Sequence, residues 1–279
     1  MGARGNGGGP SLRGWAALNP PATVAEQLRG RAVFDPLARQ FADRGAVAVV
    51  LGGSWSRGEA HRHSDIDMWV LGRRAGQTTL LRDGFHVHVE RTTERLERAR
   101  FRDPRRVGGS VPGWRSALLV YDPKGVAAKI QEEARRFRWA PIAGRCDRWV
   151  AHEVAAWSEE AIKLVRALGE GSLETAAVQR NLLANRLAIV LAVHRRILYV
   201  TENELWERVG RRVGGAWWSA QRAALGVPRG DVGASCRAAL ELYRLTALAV
   251  RRTLGPEQAR VVAHVCALIE SIPRGATAA

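Results

Sequence analysis

The segment SDIDMWVLG, residues 64–72, constrains this chain more than any other. Asp65 and Asp67 stand one residue apart in front of an apolar run, Met68 to Leu71. In an extended strand, side chains at i and i+2 point to the same face. The two carboxylates therefore converge on one face, while Ile66 and Met68 pack on the other. Two converging carboxylates repel each other, and burial raises the cost of their charge. Such an arrangement is tolerable when a cation lies against it. Ten residues upstream, Leu51-Gly-Gly-Ser54 ends a short apolar run, AVAVVLG at 46–52, and reads as a tight turn.

The pattern around this segment predicts an α/β domain. A stretch from Ala22 carries apolar residues at helical spacing and stops at Gly45. Residues 46–52 and 66–72 read as strands. In DGFHVHVE, 83–90, Phe85, Val87 and Val89 alternate with His86, His88 and Glu90, so the histidines and the glutamate share one face. A fourth strand, ALLVYDP at 117–123, ends at Pro123. After Pro141 the strand signal fades. Amphipathic helical patterning covers 147–169, 174–199, 201–225, 232–252 and 256–272, with breaks at Gly169-Glu170-Gly171, Gly226-Val227-Pro228 and Gly255-Pro256. The expected fold class is α+β. An α/β domain with a mixed sheet spans 21–143, and an α-helical bundle spans 144–273. The Gly- and Pro-rich residues 1–20 and the tail 274–279 are expected to be disordered.

Oxygen-only ligands suit Mg²⁺, which keeps several waters and commonly shares its shell with substrate phosphates. A Gly-Ser turn offers N–H and hydroxyl donors to such phosphates. A polyphosphate held between a donor turn and a metal on two carboxylates is the arrangement for nucleotidyl transfer. No GxxxxGK[ST] is present, and Gly52, Gly53 and Gly58 do not form a GxGxxG, so neither a P-loop nor a Rossmann site is expected.

Gly53-Ser54, Arg57-Gly58 and Ser64-Asp65-Ile66-Asp67-Met68 together resemble the signature of the polymerase-β-type nucleotidyltransferase superfamily. The C-terminal helices are similar to those of aminoglycoside- and lincosamide-type (kanamycin-type) nucleotidyltransferases. The resemblance implies that Gly53, Ser54 and Arg57 hold the triphosphate, and that Asp65, Asp67 and a third carboxylate hold two Mg²⁺ ions. Glu90 is the choice for that third ligand, and it would also accept the proton of the attacking hydroxyl. Asp122 is the competitor, but it adjoins Pro123 and reads as a turn residue. His61, His63, His86 and His88 raise a zinc alternative, weighed below solvated or substrate-facing histidines.

Lysine occurs only at 124, 129 and 163, in a chain that otherwise uses arginine. Lys163 follows Glu159 by four residues and shares its helical face, which by itself describes a surface ion pair. By resemblance to the kanamycin-type enzymes, Lys163 would touch the nucleotide phosphates and Glu159 would rival Glu90 as general base. Glu202, Glu204 and Glu207 read as a solvated helix start capped by Thr201, with a cationic acceptor as the alternative. Trp217 and Trp218 read as core before they read as a stacking platform.

The net charge is +16. The basic residues are spread along the chain, so the charge alone does not single out nucleic acid, and a nucleotide polyphosphate benefits from the same positive field. Cys146, Cys236 and Cys266 are far apart and form no CxxC, so reduced, partly buried thiols are expected. No apolar run approaches the roughly 18 to 20 residues of a membrane span, and the N-terminus has no apolar h-region. The expectation is a cytoplasmic chain with no membrane partner. The expected reaction is Mg²⁺-dependent transfer of a nucleoside monophosphate from an NTP, ATP first, to a hydroxyl of a small antibiotic-like acceptor, with release of pyrophosphate. The alternatives are nucleotidylation of a protein or RNA end, and an inactive nucleotide-binding module.

Overall fold

The structure is a computed structural model that describes residues 24–227 and 230–272. The tails expected at 1–20 and 274–279 lie outside the described residues. The chain divides into two compact units. One comprises the residues up to Ala99 together with Gly113–Phe137, and the other comprises Arg100–Pro112 and the residues from Arg138 onward.

The first unit is built on a mixed five-stranded sheet in the order β3-β4-β2-β1-β5. Its strands are β1 (Ala48–Leu51), β2 (Ile66–Leu71), β3 (Gly76–Arg82), β4 (Phe85–Thr92) and β5 (Leu118–Tyr121). Strand β1 pairs antiparallel with β2 and β5, β3 pairs antiparallel with β4, and β2 runs parallel to β4. The period-2 alternation sorts the two faces. Ile66, Met68, Val87, Val89, Val49 and Leu51 form one buried layer, which packs against Val33, Phe34, Leu37 and Phe41 of helix α1 (Val24–Asp43). This is the apolar stripe read from the sequence, closed by a helix that ends before Gly45 at φ +84°.

The opposite face carries Asp67, Trp69, His88 and Glu90. Part of it is closed by Trp114, whose ring lies 5.3 Å from that of Trp69. Trp114 belongs to α4 (Pro104–Ser116), and α3 (Glu94–Arg100) precedes it. From α3 a fully buried carboxylate, Glu97, accepts the Thr92 hydroxyl at 2.6 Å and the Trp114 indole N–H at 2.8 Å. Helix α5 (Val126–Arg136) buries Ala127, Ile130 and Ala134. Its Gln131 amide donates to the carbonyls of Trp114 and Ala117, which ties the segment before β5 to the helix. Strand β3 and helices α3 to α5 have no counterpart in the sequence reading.

The second unit is helical, as expected, but with more breaks. Residues 147–169 were expected as one helix and form two, α6 (Ala143–Ala156) and α7 (Ser158–Gly169), divided at Trp157. There the Trp157 indole donates to Glu153 at 3.0 Å, and the Ser158 hydroxyl bonds back to the Ala155 carbonyl at 2.6 Å. Helix α8 (Leu173–His194) ends just before Arg196, which adopts φ +57°. The segment 201–225 is likewise two helices, α9 (Glu202–Val213) and α10 (Gly215–Ala224), because Gly214 takes φ +127°. Helices α11 (Val232–Val250) and α12 (Pro256–Glu270) complete the unit.

Helix α8 is long and apolar enough to cross a bilayer, but half of its most apolar stretch is buried inside the protein. Leu183, Leu187 and Leu191 are wholly enclosed in this unit. The segment Arg100–Pro112 belongs to the same unit. The Tyr199 N–H bonds to the Gly108 carbonyl at 3.0 Å, and the Tyr199 ring lies so close that a β-carbon on Gly108 would meet it at 2.6 Å.

Candidate active site

The turn after β1 is the first component. Gly52 ends the strand, and its N–H bonds to the Asp67 carbonyl at 2.9 Å, which draws the turn onto β2. Gly53 then opens a short helix, α2 (Gly53–Arg57), at φ +64°. The Gly53 carbonyl accepts two donors, the Ser56 hydroxyl at 2.9 Å and an Arg57 guanidinium N–H at 2.8 Å. The same guanidinium pairs with the exposed Glu59 at 2.6 Å. Arg57 thus braces the turn from within, a role that sequence reading did not assign it. Ser54 and Trp55 complete the helix, which stops at Gly58 in the left-handed region, φ +70°.

Strands β2 and β4 supply the carboxylates. Their parallel register sets Asp67 beside His88 and Trp69 beside Glu90. Glu90 therefore lies one step diagonally from Asp67 on the same face. Asp65 precedes the strand and is exposed, while Asp67 is half-buried. The Asp67 carboxyl is pushed up to about 6 from its ordinary 3.8, first by burial and then by repulsion from Asp65 and, more weakly, Glu90; His88 and Arg57 pull the other way. The structure thus brings Arg57, Asp65, His88 and Glu90 within electrostatic reach of Asp67.

The wall beside the carboxylates is Trp69. Two glycines make room for its indole: a β-carbon on Gly52 would sit 2.9 Å from the ring, and one on Gly113 would sit 3.2 Å from it. On the other side of Asp65 opens a cavity of about 690 Å³ lined by His63, Thr79, Phe85, His86 and His88.

Among the described residues, no three His, Cys, Asp or Glu side chains are gathered as a ready metal cage. The donor set nonetheless suits a divalent cation. Two carboxylates converge, and the Asp67 acid is held up by burial and like charge, a cost that a cation relieves. Mg²⁺ characteristically takes only one or two carboxylates and completes its shell with water and phosphate oxygens.

Other sequence candidates find different surroundings. The Asp122 carboxylate accepts the Ala128 N–H at 2.8 Å at the start of α5, as befits a turn residue. His61 is half-buried in the loop before β2, where its backbone N–H donates to the Ser64 hydroxyl at 2.8 Å. Glu159 and Lys163 lie on α7 of the second unit. Lys163 bonds to Glu159 at 2.8 Å and also to Glu160 at 3.2 Å. The bond to Glu159 raises the Lys163 pKa, and the same bond lowers that of Glu159.

The capping box expected at Thr201 does not form. Thr201 precedes α9 without a side-chain cap bond, and Glu204 pairs instead with Arg208 at 2.5 Å. Glu207 pairs with Arg211, so neither glutamate is held ready for a cationic acceptor. Trp217 is core, with its indole N–H on the Thr246 hydroxyl at 3.0 Å, and Trp218 packs on Gly210. All three cysteines are free, Cys146 and Cys236 buried and Cys266 partly so.

The family comparison agrees with this geometry. Residues 37–133 match the family described as nucleotidyltransferase domain. That span contains all five strands, the glycine turn and the carboxylates. No curated protein matches the chain. Among solved structures, a nucleotidyltransferase-like protein from Exiguobacterium sibiricum 255-15 is similar at 12% identity over 81% of this chain and 77% of that one, with a TM-score of 0.47.

Proposed function

We propose that this chain, whose residues 37–133 match the family described as nucleotidyltransferase domain, transfers the nucleotide from ATP to a hydroxyl of a small antibiotic-like acceptor and releases pyrophosphate. The observation that carries the reading is Asp67 in contact with the glycine turn. The residues expected to hold a triphosphate and the residues expected to meet its metal occupy one corner of the sheet.

In this reading Asp65, Asp67 and Glu90 are the ligands for Mg²⁺. When bound, the ion supplies charge neutralisation at the phosphates and lowers the pKa of the attacking hydroxyl. Gly53 and Ser54 present backbone N–H and hydroxyl donors to the phosphate chain. Arg57 holds the turn in shape and adds positive charge beside it. Glu90, on the neighbouring strand, takes the proton of the acceptor hydroxyl. His63, His86, His88 and Phe85 line the adjoining cavity, which is roomy enough for a nucleobase or an acceptor ring. Lys163 and Glu159, both on α7, are the residues that the kanamycin-type resemblance assigns to the nucleotide phosphates and to the rival base. The cytoplasm supplies both NTP and Mg²⁺ for the reaction.

The test is to incubate the protein with labelled NTPs and Mg²⁺ and a panel of aminoglycosides, lincosamides, RNAs and proteins. Label on a small hydroxyl compound, with stoichiometric pyrophosphate, is the expected result. Label only on RNA or protein moves the acceptor to that class. No pyrophosphate with any acceptor leaves an inactive nucleotide-binding module.

A further inference from the structure

A second basic concavity lies at the far end of the same sheet. Residues of α1, the turn after it, and the ends of β2 and β4 enclose about 420 Å³. Four arginines line it, Arg44, Arg73, Arg74 and Arg91, and no acidic residue does; Asp43, adjacent in sequence to Arg44, is not part of the lining. We propose that this arginine pocket binds the phosphate backbone of a nucleic acid.

The pocket is a different place from the carboxylate site. Arg73 and Arg74 follow the C-terminal end of β2, whereas Asp65 precedes its N-terminal end. At about 3.3 Å per residue Arg73 stands roughly 25 Å from Asp65 along the strand, while Arg91 directly follows Glu90 and is set apart from it by the sheet. The two sites lie on opposite faces. Arg91 alternates with Glu90 on β4 and shares the face of Val87 and Val89, above α1.

The four side chains are prepared unequally. Arg91 is half-buried and fixed: it donates to the Thr78 hydroxyl at 3.0 Å, and its guanidinium lies 5.6 Å from the centre of the Phe41 ring. Arg44, Arg73 and Arg74 are exposed. None of the four forms an ion pair with a carboxylate among the described residues. Elsewhere on this protein arginines pair repeatedly with nearby acids, as Arg98, Arg136, Arg208 and Arg211 do. Four guanidiniums with no carboxylate partner among the described residues repel one another around one concavity, a cost that an anion relieves, and the planar guanidinium matches phosphate oxygens two at a time.

The exposed rim and the net charge of +16 favour a polyanion over a single phosphate, because a long anion releases counterions at every contact. An anionic membrane fits less well. The apolar groups at the pocket, Phe41 and Val70, are buried in the core and have nothing to insert into a bilayer.

The experiment measures fluorescence anisotropy of a labelled single-stranded RNA of about 20 nucleotides over a salt series, for which each lost phosphate contact changes the log–log slope by about 0.7. Arg73→Ala/Arg74→Ala should weaken binding at least tenfold at about 0.1 M salt and flatten the slope by about 1.4, with an unchanged melting curve. Arg73→Lys/Arg74→Lys, which keeps the charge, should retain the slope, and it serves as the informative variant if the alanine pair melts early. Wild-type protein that does not bind the RNA, or an alanine pair with wild-type affinity and slope, overturns the proposal. So does displacement of the RNA by low-millimolar inorganic phosphate without dependence on RNA length, which marks a small-anion site. Equal or tighter binding to phosphatidylserine vesicles overturns it in favour of a membrane surface.

Discussion

A β-carbon placed on Gly53 would lie 2.1 Å from Oδ2 of Asp67. The backbone of the turn and the side chain of Asp67 are therefore in direct contact, and the turn residue takes φ +64°. Two independent reasons thus demand glycine here, the left-handed backbone and the lack of space.

Gly53→Ala is expected to lower transfer at least a hundredfold by displacing Asp67, with a stability loss of about 1 to 2 kcal/mol from the left-handed backbone. Gly58→Ala is the matched control. Its φ is +70° but nothing lies within 4 Å of its β-carbon position. It should show a similar drop in melting temperature and near-normal pyrophosphate release. Equal loss of activity in both variants would separate Asp67 from the effect.

Asp67→Asn should abolish transfer while stabilising the metal-free fold at neutral pH. The Asp67 carboxyl stands at about 6 in the folded chain against an ordinary 3.8. Between those values the folded state holds a proton that the unfolded state has lost. The stability from this group is complete below about pH 3.8 and vanishes as pH rises through 6. The Asn variant escapes that loss, so above pH 6 it should exceed wild type by on the order of 2 kcal/mol, and below pH 4 the two should converge. Chemical denaturation in chelator across this pH range checks the sign. Added Mg²⁺ should stabilise wild type and not Asp67→Asn.

Glu90→Gln is expected to cut kcat about a hundredfold or more and to leave the KM for NTP within about threefold, because a base and ligand on the reacting side acts mainly in the transition state. Glu159→Gln should stay near wild type. Reversal of that order in parallel steady-state assays would transfer the base to the helical unit.

Lys163→Ala decides between two roles. Contact with the triphosphate predicts a KM for NTP raised about tenfold, lower turnover, an unchanged acceptor KM and partial rescue by arginine. The pairs seen with Glu159 and Glu160 describe a half-exposed surface network on one helix. If that is the whole role, kinetics stay at wild type and the melting temperature barely moves.

Glu97→Ala should destabilise the first unit by about 2 to 4 kcal/mol, since it strands a buried hydroxyl and a buried indole N–H. Thr92 and Trp114 are almost wholly enclosed with it. A loss of unfolding free energy in urea below about 0.5 kcal/mol would mean that water replaces the carboxylate.

The features legible in the sequence were those written in local periodicity. FHVHVE announces its two faces by alternation, and SDIDM places its carboxylates together by the same rule. Strand β3, GQTTLLR, lies at the sheet edge with most of its residues exposed, so it carries no apolar alternation to read. Glu97 sits in ERLERAR, which reads as a solvated helix. Its partner Trp114 is 17 residues away, and only the closed fold shows that the carboxylate is internal. The break at Gly214, with its φ of +127°, was signalled by the Gly214-Gly215 pair, which the reading of 201–225 as one helix passed over. Gly53 was legible as a turn residue, whereas its contact with Asp67 exists only after β1 and β2 pair.

The parallel pairing of β2 with β4 also sets the order of events when the chain folds. Hairpins such as β3–β4 close quickly because their strands are neighbours in sequence. Asp67 and Glu90 meet only when β2 passes over that hairpin and joins its far strand in register. A cation held by Asp65, Asp67 and Glu90 would therefore find only the two local aspartates in the unfolded ensemble and its full set in the folded sheet. It would act as a late-arriving latch, slowing unfolding in proportion to its affinity and leaving the folding rate as it is without metal.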